Sequence, residues 1–330
     1  MKKRSKEVVI FSGKESLTLI GIILCLFIIM LLNAVDFKQP CLLQCNSSFL
    51  NKKNVILEKT NNEMYLALIQ NDYVSEHIRR FHVWEENTTN FILKNIKPGD
   101  TVVECGANIG YYTTMFAKLV TDQGRVYAYE ANDEVLELAN LSLKMNDLSK
   151  IVNLKRACIS NKLGIANFIY YSPDAEALCT VNMGMAHVEP LIKKDKNRQF
   201  QMDNTYAKLG MDVGKVKQIQ TISLDDDLKY ANNINWLKMD IEGAEILAIQ
   251  GAHNLIESSP NLKIIMEWSP SMMSDYGDVE ELIDYLLNLG FSFYSINNDG
   301  SLGQKWNKKE LLAHNINGTD LVLIREKING

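Results

Sequence analysis

Lys238, Asp240, Glu242 and Glu245 fall within eight residues, in the run Trp236-Leu237-Lys238-Met239-Asp240-Ile241-Glu242-Gly243-Ala244-Glu245. The apolar residues at its start read as a strand, so the four ionisable groups gather at a carboxyl end. Burial and mutual charge at such a place shift pKa values and ready carboxylates for proton transfer. A plainer reading is a helix N-terminus, whose dipole welcomes acids. It accounts for Glu242 and Glu245 but not for Lys238 and Asp240, which sit inside the strand pattern. Asp240 is therefore the candidate general base. Lys238, Glu242, Glu245 and Glu267, the last in Ile265-Met266-Glu267-Trp268, are candidates to orient an acceptor or balance charge. Carboxylates also suit oxygen-loving divalent cations, but no histidine joins this set and no metal site is expected.

A second constellation lies upstream. Residues 102–113 read VVECGANIGYYT, a strand, a glycine turn and a helix start. Glycines there permit a tight turn and let a ligand approach the backbone. Asn108 stands where a dinucleotide fingerprint requires its second glycine, and no Gly-Lys-Ser/Thr follows as in a P-loop. The loop thus suits a ligand without phosphates. The next strand ends Val126-Tyr127-Ala128-Tyr129-Glu130-Ala131-Asn132, placing Glu130 twenty residues after Gly110. Nucleoside-binding α/β domains put a carboxylate at about that distance, where it accepts hydrogen bonds from both ribose hydroxyls. The plainer alternative is a solvated acid at a strand end.

The elements that must position these residues alternate along the chain. Apolar strands are read at 101–105, 125–130, 152–157, 234–240, 262–267, 291–296 and 320–325, with amphipathic helices at 110–120, 133–146, 243–250 and 278–289. A further helix near 88–93 leads into the first strand through the turn Lys97-Pro98-Gly99-Asp100. This alternation predicts an α/β fold, a doubly wound and mainly parallel sheet with helices on both faces. Its ligand site then lies beyond the carboxyl ends of the strands, where strand order reverses. Residues 172–217 break the pattern with Pro173, Met183-Gly184-Met185, His187, Pro190 and the basic run Lys193-Lys194-Asp195-Lys196. They read as an insertion on the substrate side. His187 within it reads more readily as a solvated loop histidine than as a substrate contact.

Together these residues resemble the FkbM family of S-adenosylmethionine-dependent methyltransferases. The resemblance covers about 65–325 and rests on ECGANIGYYT at 104–113, TISLDDDL at 221–228 and LKMDIEGAE at 237–245, with Trp84-Glu85 upstream. The sequence departs from the family at Glu104, where Asp is usual, at Cys105, and in the long 172–217 segment, which leaves substrate identity open. The resemblance implies a class I, Rossmann-like methyltransferase with S-adenosyl-L-methionine as cofactor. Glu104, Gly106, Asn108 and Gly110 would shape its methionine and ribose pocket, with Glu130 on the ribose hydroxyls. Ala157, Cys158 and Ile159 would lie beside the adenine, and the cofactor set extends to Glu85, Ala107, Tyr111, Ala131, Asn132 and Asp240. Cys158 is otherwise an ordinary buried thiol. Methyl transfer from a sulfonium is an in-line displacement that needs alignment and, for a hydroxyl acceptor, removal of a proton. The resemblance suggests O-methylation of a small molecule or glycan, with sugar hydroxyls as the acceptor class. A nicotinamide-dependent oxidoreductase shares the fold but conflicts with Asn108. A membrane-tethered binding protein on a degenerate methyltransferase scaffold conflicts with the intact loop and acid cluster.

Composition bounds the rest. A chain of 330 residues, 46% hydrophobic and 23% charged, buries one large core. A net charge of -5 provides no basic face for a phosphate backbone, so nucleic acid is not an expected partner. Cys25, Cys41, Cys45, Cys105, Cys158 and Cys179 form no CxxC pair and no zinc spacing. Cys41 and Cys45 either pair in an oxidising compartment or stand free in a flexible stem. Residues 17–35 carry no charge, and nineteen helical residues at about 1.5 Å each span about 29 Å, the thickness of a bilayer core. A cleaved signal peptide is the rival reading, but cleavage after Ala34 would put Leu32 at the -3 position. Lys2, Lys3, Arg4, Lys6 and Lys14 precede this segment and hold the N-terminus in the cytoplasm. The expected arrangement is a cytoplasmic tail (1–16), a single-pass anchor (17–35), a stem (36–62) and a catalytic domain (63–330) in the lumen or outside the cell. Sequons at Asn46, Asn87, Asn140 and Asn317 lend this weak support, because an Asn-rich chain carries several by chance.

Overall fold

The computed structural model describes residues 55–170, 183, 186–188, 215–231, 233–313 and 318–326. The expected tail and anchor, and the stem as far as residue 54, lie outside the described residues. No helix among those described is long and apolar enough to cross a membrane.

In chain order the elements are β1 (Val55–Lys59), β2 (Tyr65–Ile69), α1 (Tyr73–Phe81), α2 (Glu86–Asn95), β3 (Thr101–Cys105), α3 (Tyr111–Val120), β4 (Arg125–Glu130), α4 (Asp133–Met145) and β5 (Val152–Arg156). Then follow β6 (Cys158–Ile159), β7 (Gly164–Tyr170), β8 (His187–Val188), β9 (Lys215–Ile222), α5 (Leu224–Asp227), β10 (Trp236–Met239), α6 (Glu245–Gln250) and α7 (His253–Glu257). The last are β11 (Lys263–Trp268), α8 (Pro270–Met273), α9 (Val279–Asn288), β12 (Phe291–Ile296), β13 (Leu302–Trp306), α10 (Lys308–Leu311) and β14 (Thr319–Arg325).

Eight strands form the central sheet in the order β13-β12-β14-β11-β10-β3-β4-β5. β11, β10, β3, β4 and β5 run parallel, while β14 lies antiparallel between β11 and β12. The expected doubly wound, mainly parallel sheet is thus present. Period-2 alternation assigns successive side chains to opposite faces. Val102, Trp236 and Ile265 join one core with α2, α3 and α4, while Val103, Leu237 and Ile264 join the other with α6 and α9. Each fully buried aliphatic in these layers contributes roughly 1.5–3 kcal/mol. From β3 the chain moves outward to β4 and β5, then returns to the other side of β3 as β10. That reversal leaves a crevice at the carboxyl ends of β3 and β10.

Two regions depart from the expected layout. β1 falls inside the stretch read as stem, and it pairs with β2 to form a hairpin. The hairpin is fastened to α4, where the Ala67 N–H donates to Ser142 Oγ at 3.0 Å and the Tyr65 N–H to the Asn146 side chain at 3.0 Å. The folded unit therefore begins by residue 55 rather than 63. Second, β7 and β9 pair antiparallel in a small sheet of order β6-β9-β7-β8. The stretch read as an insertion is thus a long excursion from one hairpin, and only its residues 183, 186–188 and 215–217 are described.

Candidate active site

Gly106 ends the first parallel strand at φ 92°, and a Cβ there would lie 2.0 Å from the Asp240 carbonyl oxygen. Only glycine lets the β3 and β10 ends come this close. Asn108 turns the loop at φ 49°, a conformation that Asn tolerates better than most residues, and Gly110 follows at φ 83°. Four of the loop's five N–H groups are committed to protein acceptors. Those of Gly106 and Ala107 donate to the Tyr129 carbonyl at 2.9 and 3.0 Å, that of Asn108 to Glu130 Oε2 at 2.8 Å, and that of Gly110 to the Ala107 carbonyl at 2.9 Å. The other oxygen of Glu130 accepts from the Asn132 N–H at 2.7 Å. Glu130 is thereby locked at the end of β4, where the Ala131 N–H also donates to it, leaving its remaining acceptor capacity to a ligand. Burial raises its pKa, and the backbone donors oppose that rise.

The neighbouring wall is acidic. Lys238 is 1% exposed, its Nζ 3.2 Å from Asp240 Oδ2 and 4.7 Å from the centre of the Tyr112 ring. In the β3–β10 register it stands opposite Glu104. Burial works against its charge, but Asp240, Asp320, Glu85 and Glu104 outweigh burial and hold its pKa above the usual lysine value. Tyr112 donates to Glu85 Oε2 at 2.9 Å, and Thr88 donates to Asp320 Oδ2 at 2.6 Å. Asp320 on β14 sits opposite Glu267 on β11. Burial, then the charges of Asp240 and Glu242, push Glu267 up to about 11, and its Oε2 is buried without a hydrogen-bond partner among the described residues. Glu85, an exposed residue, opens onto the cavity, where desolvation of its carboxyl and then the charges of Asp320 and Asp240 raise its pKa. Burial and Asp240 likewise hold Glu242 well above the carboxylate range. Two residues here carry left-handed backbone, Glu85 at φ 39° and Glu242 at φ 58°, a strain that concentrates at functional sites.

Both walls face one cavity of about 170 Å³. Of the residues expected from sequence, Glu85, Gly106, Asn108, Glu130, Ala131, Ala157, Cys158, Asp240, Glu242 and Glu267 line it, with Ile159. The others stand behind it. Glu104 is 1% exposed, accepts a hydrogen bond from Thr113 Oγ1 at 2.5 Å and is pushed up to about 7 by burial. Ala107 and Gly110 shape the turn, Tyr111 contacts Thr89 at 3.2 Å, and the Asn132 side chain accepts from Glu134 N at 3.1 Å as it starts α4. Lys238 and Glu245 do not line the cavity. Lys238 lies beneath Tyr112 and Asp240, and Glu245 Oε1 accepts from the Ile241 N–H at 2.9 Å within its own loop. Burial pushes Glu245 up to about 7. No group of three or more His, Cys, Asp or Glu among the described residues is arranged to hold a metal ion.

Sequence reasoning did not single out Asp320, Tyr112, Asp72 or Phe168. Asp72 caps α1 through the Ser75 N–H at 2.8 Å and accepts from the Met183 N–H at 3.1 Å, while Tyr276 donates to the Val188 carbonyl at 2.5 Å. These bonds bring Met183, His187 and Val188 to the cavity, so His187 lines it rather than standing in solvent. The aspartates of TISLDDDL are structural. Asp226 pairs with Ser223 at the start of α5, Asp225 accepts from the Asn254 and Leu255 N–H groups, and Asp227 accepts from Tyr129 and Lys155.

The sequence is 20% identical over 205 residues to the methyltransferase sdnD of Sordaria araneosa, covering 60% of this chain and 79% of that one. Over 58 residues it is 38% identical to a protein-L-isoaspartate O-methyltransferase of Aeropyrum pernix, 18% of this chain and 22% of that. Among solved structures, an O-methyltransferase from Bacillus cereus in complex with SAH aligns at 13% identity and a TM-score of 0.38, covering 74% of this chain and 82% of the other. The sequence model of the methyltransferase FkbM domain matches residues 104–293, more than half of the chain, from the first acid of the glycine loop to β12. A match of that extent, running through both strand ends that close the cavity, makes the chain a member of the FkbM methyltransferase family.

Proposed function

We propose that this methyltransferase binds S-adenosylmethionine in the cavity between β3, β4 and β10 and methylates a hydroxyl on a sugar or glycan. The observation that carries the cofactor reading is the commitment of the Gly106, Ala107, Asn108 and Gly110 N–H groups to protein acceptors. With those four donors spent, the loop itself offers little to a pyrophosphate, which argues against a nicotinamide dinucleotide. The residues fit a nucleoside linked to an amino acid. Glu130 keeps acceptor capacity for a ribose hydroxyl, Asn108 Oδ1 is buried without a hydrogen-bond partner among the described residues, and Ala157, Cys158 and Phe168 supply an apolar wall for a base. When bound, S-adenosylmethionine supplies an electrophilic methyl group on a sulfonium.

The chain's own residues then divide the work. Asp240, at the end of β10 and on the cavity wall, takes the proton from the acceptor hydroxyl. Lys238 holds that carboxylate from behind. Glu85, Glu242 and Glu267 accept hydrogen bonds from an acceptor's remaining hydroxyls, and their raised pKa values let a protonated member donate instead. Thermal unfolding tests the cofactor reading: S-adenosylmethionine or its demethylated product stabilises the chain and NAD does not. Equal stabilisation by NAD would contradict it. The type II anchor at 17–35 belongs to the same proposal, and protection of the catalytic domain from protease added to intact vesicles tests it.

A further inference from the structure

Beside the cavity mouth four rings gather on and after α1. Tyr73, His77 and Phe81 follow at intervals of four along the helix, a stripe about 12 Å long, and Trp84 closes against it. The His77 ring lies 5.1 Å from Trp84 and 4.7 Å from Phe81, and Tyr73 lies 6.0 Å from Trp84. Tyr73 is 52% exposed and Phe81 48%. Large aromatics so exposed and so clustered mark a contact surface more often than chance. His82 and Glu85, on either side of Trp84, both have left-handed backbone at φ 58° and 39°. Trp84 belongs to both places, since it packs on the stripe and lines the cavity with Val74 and Glu85.

We infer that this aromatic cluster is an acceptor subsite that takes the C–H face of a neutral sugar ring adjoining the one whose hydroxyl enters the cavity. The inference rests on the methyl-transfer reading. Continuity through Trp84 makes whatever fills the acceptor side of the cavity the natural occupant of the cluster. Charge narrows its chemistry. An anionic acceptor meets the carboxyl groups of Glu85, Glu130, Asp240, Glu242 and Glu267 on the cavity wall. A cationic one meets Arg80, which lies 5.2 Å from the centre of the Phe81 ring. A neutral polyhydroxylated ring meets neither objection. Its hydroxyls donate to carboxylates, and its C–H face makes dispersion and weak C–H contacts with an aromatic ring.

The test titrates the full chain, saturated with S-adenosylhomocysteine, with neutral tetraoses of glucose, mannose, galactose and N-acetylglucosamine by calorimetry. At least one tetraose binds the wild type. The double variant Tyr73→Ala/Phe81→Ala weakens that binding about tenfold, the worth of two aromatic contacts. Tyr73→Phe/Phe81→Tyr retains it, and both variants keep S-adenosylhomocysteine affinity within about twofold. The subsite is overturned if no tetraose binds a chain that still binds S-adenosylhomocysteine, or if the alanine variant binds a tetraose as well as the wild type. Capture of phosphatidylcholine vesicles through these rings, with no tetraose bound, overturns it in favour of a lipid surface. A wild-type chain that binds no S-adenosylhomocysteine overturns the methyl-transfer reading along with the subsite, and that result is visible before any sugar is added.

Discussion

The two walls of the cavity are built on opposite principles. Along β3 and β4, Glu130 has both oxygens held by backbone N–H groups and four loop N–H groups are already spent, so the backbone donors of this wall are settled, while Glu104 Oε1 and Asn108 Oδ1 stay buried without a partner among the described residues. Along β10, β11 and β14, the buried Lys238 answers Asp240 and Asp320, Glu242 and Glu267 add their carboxyl groups beside Asp240, and Glu267 keeps an oxygen without a partner among the described residues. This wall is loaded with carboxyl groups that raise one another's pKa values. The settled wall suits a ligand that must be held in one pose, and the loaded wall suits a step in which a proton moves.

That contrast predicts unequal responses to mutation. The largest is catalytic: Asp240→Asn lowers turnover by about 10² to 10⁴, the usual worth of a positioned base, in a radiolabelled methyl-transfer assay. Full turnover in that variant would move the base to Glu242 or Glu267. Next is Lys238→Met, which leaves the acids on the loaded wall without their buried cation and costs about 2–4 kcal/mol in denaturant unfolding. A loss below about 0.5 kcal/mol would show that the acids do not depend on it.

A smaller effect follows from pH. Glu104 and Glu245 are pushed up to about 7 from an ordinary value of 4.5, both chiefly by burial. The folded chain thus binds more protons than the unfolded chain between about pH 4.5 and 7. Stability is full below that window and falls as pH rises through it. The thermal midpoint is accordingly higher at pH 5 than at pH 7.5, and Glu104→Gln removes part of the slope. A midpoint that rises with pH would contradict the assignment. Smallest is the reactivity of Cys158, which lies on the cavity wall with burial pushing its thiol up to about 12. It alkylates more slowly than a free thiol at neutral pH, and S-adenosylhomocysteine slows it further.

Much of the settled wall was readable from sequence, and less of the loaded one. The strands at 101–105, 125–130 and 291–296 match their expected bounds because apolar runs and turn residues delimit them. The β1–β2 hairpin was hidden, since Asn and Lys surround it and Leu66 to Ile69 are continuously buried rather than alternating. The β7–β9 pair gave no strand signal, with Ile165 73% and Val216 62% exposed. Asp320 reads in sequence as a lone acid at a strand start, and only the β11–β14 register brings it to Glu267. Lys238 and Glu245 show the converse limit. Spacing located them at a strand end, but not on which side of the wall each would stand.

The most direct test of separate roles for the two walls is calorimetric titration of S-adenosylhomocysteine into wild type, Glu130→Ala and Asp240→Asn. The account predicts that Glu130→Ala loses about 1.5–3 kcal/mol of affinity, the scale of hydrogen bonds to a charged group, while Asp240→Asn binds as the wild type does. An Asp240→Asn variant that loses as much affinity as Glu130→Ala would contradict it.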